Sequence, residues 1–151
     1  MFNLFNKEKK DTKTLKYNKK LIDKFHKDYH KLLELIKTTN EAIESGNVKK
    51  SKKYLMKLRM ALLEHFMEKD IKLYWYLKRY HKKDTHKLNT VEMFEITIKD
   101  IQKEILSFLS KYSKEDVELD DMFKGKFLVL VKKFSTRIKT EENKLYTLYV
   151  K

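Results

Sequence analysis

No cysteine occurs in this 151-residue chain, which excludes disulfides, thiolate metal sites, iron–sulfur clusters and a cysteine nucleophile together. Proline is also missing, and Gly46 and Gly125 are the only glycines. The tight turns of sheet proteins depend on glycine and proline, so helix is favoured before any periodicity is considered. No apolar run approaches the roughly 20 residues of a membrane span. Met1, Phe2, Leu4 and Phe5 are followed at once by Lys7, Glu8, Lys9 and Lys10, which is too little apolar length for a signal peptide. A soluble, unprocessed, cytoplasmic protein with no membrane partner is expected. Serine–histidine–aspartate sets, phosphate-cradling glycine loops and zinc motifs are all missing, so no catalytic residue is assigned and an enzyme is not expected.

Charge is abundant. Thirty-six basic and 22 acidic residues give a formal net charge of +14, which admits nucleic acid or an acidic protein as partner. Lysines are scattered along every segment and mixed with glutamates, as on the solvated faces of helices. Nucleic-acid association therefore ranks third, behind protein binding and metal binding.

Apolar residues recur every three or four positions, the spacing of one helix face. A first helix carries Ile22, Phe25, Tyr29, Leu33, Ile36, Asn40 and Ile43, and ends at Ser45, Gly46 and Asn47, where glycine supplies the left-handed closing conformation. The second carries Val48, Leu55, Leu58, Leu62, His65, Lys69, Leu73, Tyr76 and Tyr80. His81 to Lys87 reads as a solvated connection, with His81 and His86 as ordinary linker residues. Asn89 and Glu92 have capping-box spacing and predict the start of a third helix whose face is Val91, Phe94, Ile98, Ile101, Ile105, Phe108 and Tyr112. Ser113 to Gly125 is expected to hold a turn and a short helix. The fourth face is Phe127, Leu130, Phe134, Arg137, Glu141, Leu145 and Leu148. Four such stripes joined by short connections predict an all-α, antiparallel up-down-up-down four-helix bundle. Residues 1–14 have no consistent period and read as a loose arm, leaving 15–151 as one domain.

Polar residues inside apolar stripes are the candidates for function. His65 and Lys69 interrupt the second stripe, and Arg137 and Glu141 the fourth. In this topology helices two and four run parallel, so the pairs lie at similar depth, and His26 of helix one joins that level. An unpaired charge is too costly to bury, so Glu141 is expected to be neutralised by Arg137 and Lys69, with the histidines neutral and hydrogen-bonded.

The segments Ile22 to His26, Glu64 to Glu68 and Thr140 to Tyr146 resemble the hemerythrin-like (HHE) family. That resemblance implies a di-iron site with a histidine in helix one, for which His26 and His30 are the alternatives. It also implies a histidine and a glutamate four apart in helix two, histidines in helix three, and a further histidine–carboxylate pair in helix four. His65 and Glu141 match. Lys69 stands at the bridging glutamate position, Phe94 and Ile98 at helix-three histidine positions, and Arg137 at the helix-four histidine. Lysine and arginine offer a metal no lone pair, so no cofactor is the leading expectation. Iron held by His26, His30, His65 and Glu141, with Glu95 as a substitute ligand, is the alternative. Arg137 and Glu141 are also similar to an arginine–glutamate pair in the regulators of sigma D, the Rsd/AlgQ proteins, which bind a transcription sigma factor.

A second apolar row on helix two comprises Met60, Leu63, Met67, Ile71 and Tyr74, with Trp75 alongside, turned roughly 140 to 160 degrees from the core face. Methionine and aromatic residues on a helix flank suit a partner surface. This row predicts a protein partner or a homodimer, and the alternative is that Phe2, Leu4 and Phe5 cover it.

Overall fold

The computed structural model describes residues 16–151. The proposed arm at 1–14, and with it Phe2, Leu4 and Phe5, lies outside the described residues. Among the described residues, five α-helices build four rods: α1 (Leu21–Glu44), α2 (Val48–Lys69), α3 (Trp75–Tyr80), α4 (Thr85–Tyr112) and α5 (Asp121–Thr140). A π turn at Asp70–Tyr74 joins α2 and α3 into one rod, and a second at Glu141–Leu145 extends α5 into a short 3-10 turn at Tyr146–Leu148. No strand occurs among the described residues.

Local chemistry sets the ends of these helices. Gly46, at φ 75°, closes α1 where a side chain would be strained. Asn47, Asp84 and Asp120 cap the next three rods, accepting from the backbone N–H groups of Lys50, Lys87 and Phe123. The third rod thus begins at Thr85 and not at Asn89. Asn89 and Glu92 fit a capping box by spacing, but Asp84 does the capping, and the first turn is polar because it projects past the core. Ser113–Asp120 is a connection without a helix of its own, and Gly125 sits exposed inside α5.

Side-chain contacts give the directions. Lys24 near the start of α1 pairs with Glu68 near the end of α2. Lys52 near the start of α2 reaches the carbonyl of Tyr112 at the end of α4, at 2.8 Å. Tyr29 of α1 lies edge-on to Phe134 of α5, with ring centroids 6.0 Å apart. Successive rods are antiparallel, and the second and fourth run the same way.

The core is apolar through its length. Leu55, Leu73, Leu77, Val91, Phe123 and Leu145 have no measurable exposure, and a fully buried side chain of this size contributes roughly 1.5–3 kcal/mol. On α1 the buried line runs Leu21, Phe25, Leu32, Ile36, Thr39 and Ile43, while Ile22, Tyr29 and Leu33 are only partly covered. That rotation matters for His26. Val48, expected inside, is exposed, and His81, expected in solvent, is buried with Nε2 2.8 Å from the Leu148 carbonyl.

Candidate functional site

Two π turns bracket the polar centre. In an α-helix the backbone N–H bonds four residues back, but Trp75 bonds to Asp70 O and Tyr146 bonds to Glu141 O, each five back. The extra residue rotates the rest of the rod by about 100 degrees. In the second rod this carries Tyr74 off the outer row and into the core, where it is 1 % exposed.

There, Glu141 is fully buried. One oxygen accepts from Lys69 Nζ at 2.8 Å and the other from the Tyr74 hydroxyl at 3.0 Å. Arg137, predicted to hold Glu141 directly, does not. Its Nη2 donates to the Tyr74 oxygen at 3.3 Å and to the Phe94 carbonyl, and Nη1 donates to Thr97 Oγ1 at 2.6 Å. The guanidinium lies 4.7 Å from the Phe94 ring centre, a cation–π distance. Lys69 Nζ sits 5.6 and 5.5 Å from the Phe25 and Tyr146 rings. The result is a chain of contacts, Lys69 to Glu141 to Tyr74 to Arg137 to α4, that ties three rods together. Burial and the Glu141 charge push both the Tyr74 and Tyr146 hydroxyls far above the usual phenol range, so both remain protonated and Tyr74 remains a donor.

His65 packs edge-on against Phe25 and Phe134. Burial, with Lys69 one turn along, lowers its pKa to about 3, so the ring is neutral as expected. It is not hydrogen-bonded as expected: neither ring nitrogen has a partner among the described residues.

The helix-one histidines do not join this centre. His26 falls on the half-covered edge of α1 beside Ile22 and Tyr29, with Nδ1 3.4 Å from Glu142 and its ring edge-on to Tyr146. Phe25 occupies the inward position instead, and His30 is exposed. Glu95 turns to Lys78, with oxygens 2.9 and 3.1 Å from Nζ. Burial and neighbouring Glu95 raise the pKa of Asp70 on the π turn.

The donors present do not fit the di-iron site that the resemblance implies. Among the described residues at the centre, only His65 and Glu141 are histidine or carboxylate donors, and Lys69 already occupies one Glu141 oxygen. Among the described residues no group of three or more histidine, aspartate or glutamate side chains gathers as a ligand set.

Of the outer row, Met60 and Met67 are each 55 % exposed, and Leu63, Ile71 and Trp75 are half-covered. Tyr74 leaves the row and belongs to the core network. Periodicity missed this because Leu73, Tyr74, Trp75, Tyr76 and Leu77 form an unbroken apolar run in which no register is visible. No helix among the described residues is long and apolar enough to cross a membrane.

No curated protein and no solved structure matches the chain. None of these comparisons supports the likeness to the sigma D regulators. The family model of the hemerythrin HHE cation-binding domain, however, matches residues 19–149, spanning all four rods, and the chain therefore belongs to the hemerythrin HHE family.

Proposed function

We propose that this protein is a hemerythrin-like bundle that has given up di-iron binding and acts without catalysis, as a protein-binding, regulatory module. The Lys69–Glu141 pair carries the first half of this reading. Lys69 Nζ, 3 % exposed, lies 2.8 Å from a carboxylate that is fully buried, so the charge a metal would neutralise is already neutralised by the chain. Placing iron there requires expelling that cation, and Arg137 adds a second one nearby. The second half is supported by the outer face of α2, where Met56, Met60 and Met67 are 45 %, 55 % and 55 % exposed. Flexible, polarisable methionines are overused at surfaces that accept partner helices.

Elemental analysis of protein purified without chelator tests the core. Fewer than about one iron per chain is expected, whereas about two, with oxo-bridge absorption bands, would restore the alternative of an oxygen or iron sensor or store. Crosslinking in the cells that make the protein tests the surface. Met60→Gln with Met67→Gln should remove a crosslinked protein that wild type retains, and identical crosslinked sets would sink the partner-binding half.

A further inference from the structure

We infer that the outer face of α2 receives an acidic amphipathic helix of a partner protein, with the partner's apolar stripe on the methionines and its carboxylates over a basic cleft between α2 and α4. The inference rests on the protein-binding reading above and supplies the chemistry of the partner. Met60, Leu63 and Met67 line an open groove of about 580 Å3 on α2. Met56 extends it by one turn, because residues four apart share a helix face.

Beside this groove lies a second cleft of about 330 Å3, formed by Arg59 of α2 with Leu106, Ser107, Ser110, Lys111 and Lys114 on and just beyond α4. Arg59 follows Met56 by three residues and precedes Leu63 by four, so on the helix surface the cleft adjoins the apolar row. The cleft is lined by three cations, two hydroxyl side chains and no carboxylate. Arg59, Lys111 and Lys114 make no ion pair among the described residues, and the Arg59 Nε is buried without an acceptor. The other flank is different. Glu64 and Glu68 border the groove there, and Glu68 is already held by Lys24 and Lys72, which keep its carboxyl below the usual range despite burial.

On the side facing α4 the free charge beside the methionines is therefore positive, while on the opposite flank exposed Glu64 makes no ion pair among the described residues. A helix with leucine-like residues along one face and glutamates or aspartates along one edge satisfies both features. A bare anion leaves the methionines uncovered, and a basic helix faces Arg59, Lys111 and Lys114 directly. A second copy of this chain brings its own formal +14, a long-range repulsion at low salt.

The test uses the full chain and two labelled synthetic helical peptides. They share one leucine stripe, with glutamates along one edge in the first and lysines in the second, and binding is read by fluorescence anisotropy at two salt concentrations. The acidic peptide is expected to bind at least about tenfold more tightly than the basic one, and to weaken with salt. Arg59→Glu with Lys114→Glu should weaken it about tenfold or more, and Met60→Gln with Met67→Gln should do the same without changing net charge. Circular dichroism should show native helix content in both variants. Equal binding of the two peptides, lost in the methionine variant, would overturn the acidic partner and leave the protein-binding face standing. Failure of the acidic peptide to bind wild type would overturn the inference. Binding indifferent to the methionine variant would overturn the inference and the proposed face together. A dimer in sedimentation that the methionine variant dissolves would assign the face to a second copy instead.

Discussion

Replacing Glu141 with glutamine tests the centre of this protein most directly. Glu141 is fully buried, with Lys69 Nζ at 2.8 Å on one oxygen and the Tyr74 hydroxyl at 3.0 Å on the other. Glutamine keeps the shape and one acceptor but removes the charge. Lys69, 3 % exposed, is then left with little besides the faces of Phe25 and Tyr146, at 5.6 and 5.5 Å. Breaking one side of a buried pair typically costs about 3–5 kcal/mol. The surviving acceptor recovers part of that, so a loss of about 2–4 kcal/mol is expected. At the urea dependence usual for a small domain, this is a midpoint shift of roughly 1–2 M. Circular dichroism and Trp75 fluorescence in a urea titration measure it.

Glu142→Gln is the internal control. Its side chain is 31 % exposed and its ion contact is His26 at 3.4 Å, so about 0.5 kcal/mol or less should be lost. Removing both charges together, Lys69→Met with Glu141→Gln, should recover much of the loss, because no uncompensated cation remains. Equal midpoints for Glu141→Gln and Glu142→Gln would refute the reasoning, as would a double variant no more stable than Glu141→Gln.

The same geometry sets three further outcomes. The His65 pKa is lowered from 6.5 to about 3, so between those values the unfolded chain binds the extra proton; stability should fall as pH drops through that window, by up to about 1.4 kcal/mol per pH unit, and His65→Leu should flatten that part of the curve in urea titrations at stepped pH. Tyr74→Phe removes the hydroxyl that touches both Glu141 and Arg137, and calorimetry should show a loss of roughly 1–3 kcal/mol, where an unchanged melting point would disprove the network. Met60→Gln with Met67→Gln touches exposed side chains and should change stability by about 0.5 kcal/mol or less per site, with early melting in a thermal scan showing that the row is internal.

Much of the architecture was legible because amphipathic spacing is local. A run such as Val91, Phe94, Ile98, Ile105 and Phe108 can be buried only on one side of a helix, and Gly46 marks a turn through backbone freedom alone. The depth of His65, Lys69, Arg137 and Glu141 came from the same periodicity, since each interrupts an apolar stripe. Their pairing came only in part: Lys69 meets Glu141 as expected, but Arg137 turns to Tyr74, Thr97 and Phe94. Whether Glu141 meets Arg137 or Lys69 depends on the rotation of one rod against another, and a π turn changes that rotation by one residue without an apolar or polar signature. Tyr74 shows the consequence, reading as a surface residue from its spacing to Met67 and becoming a hydrogen-bond donor inside the core. His26 shows the same limit from the other direction. It and Phe25 are neighbours in sequence, and only the packing of α1 against α2 and α5 decided that the phenyl ring faces inward and the imidazole lies on the half-covered edge.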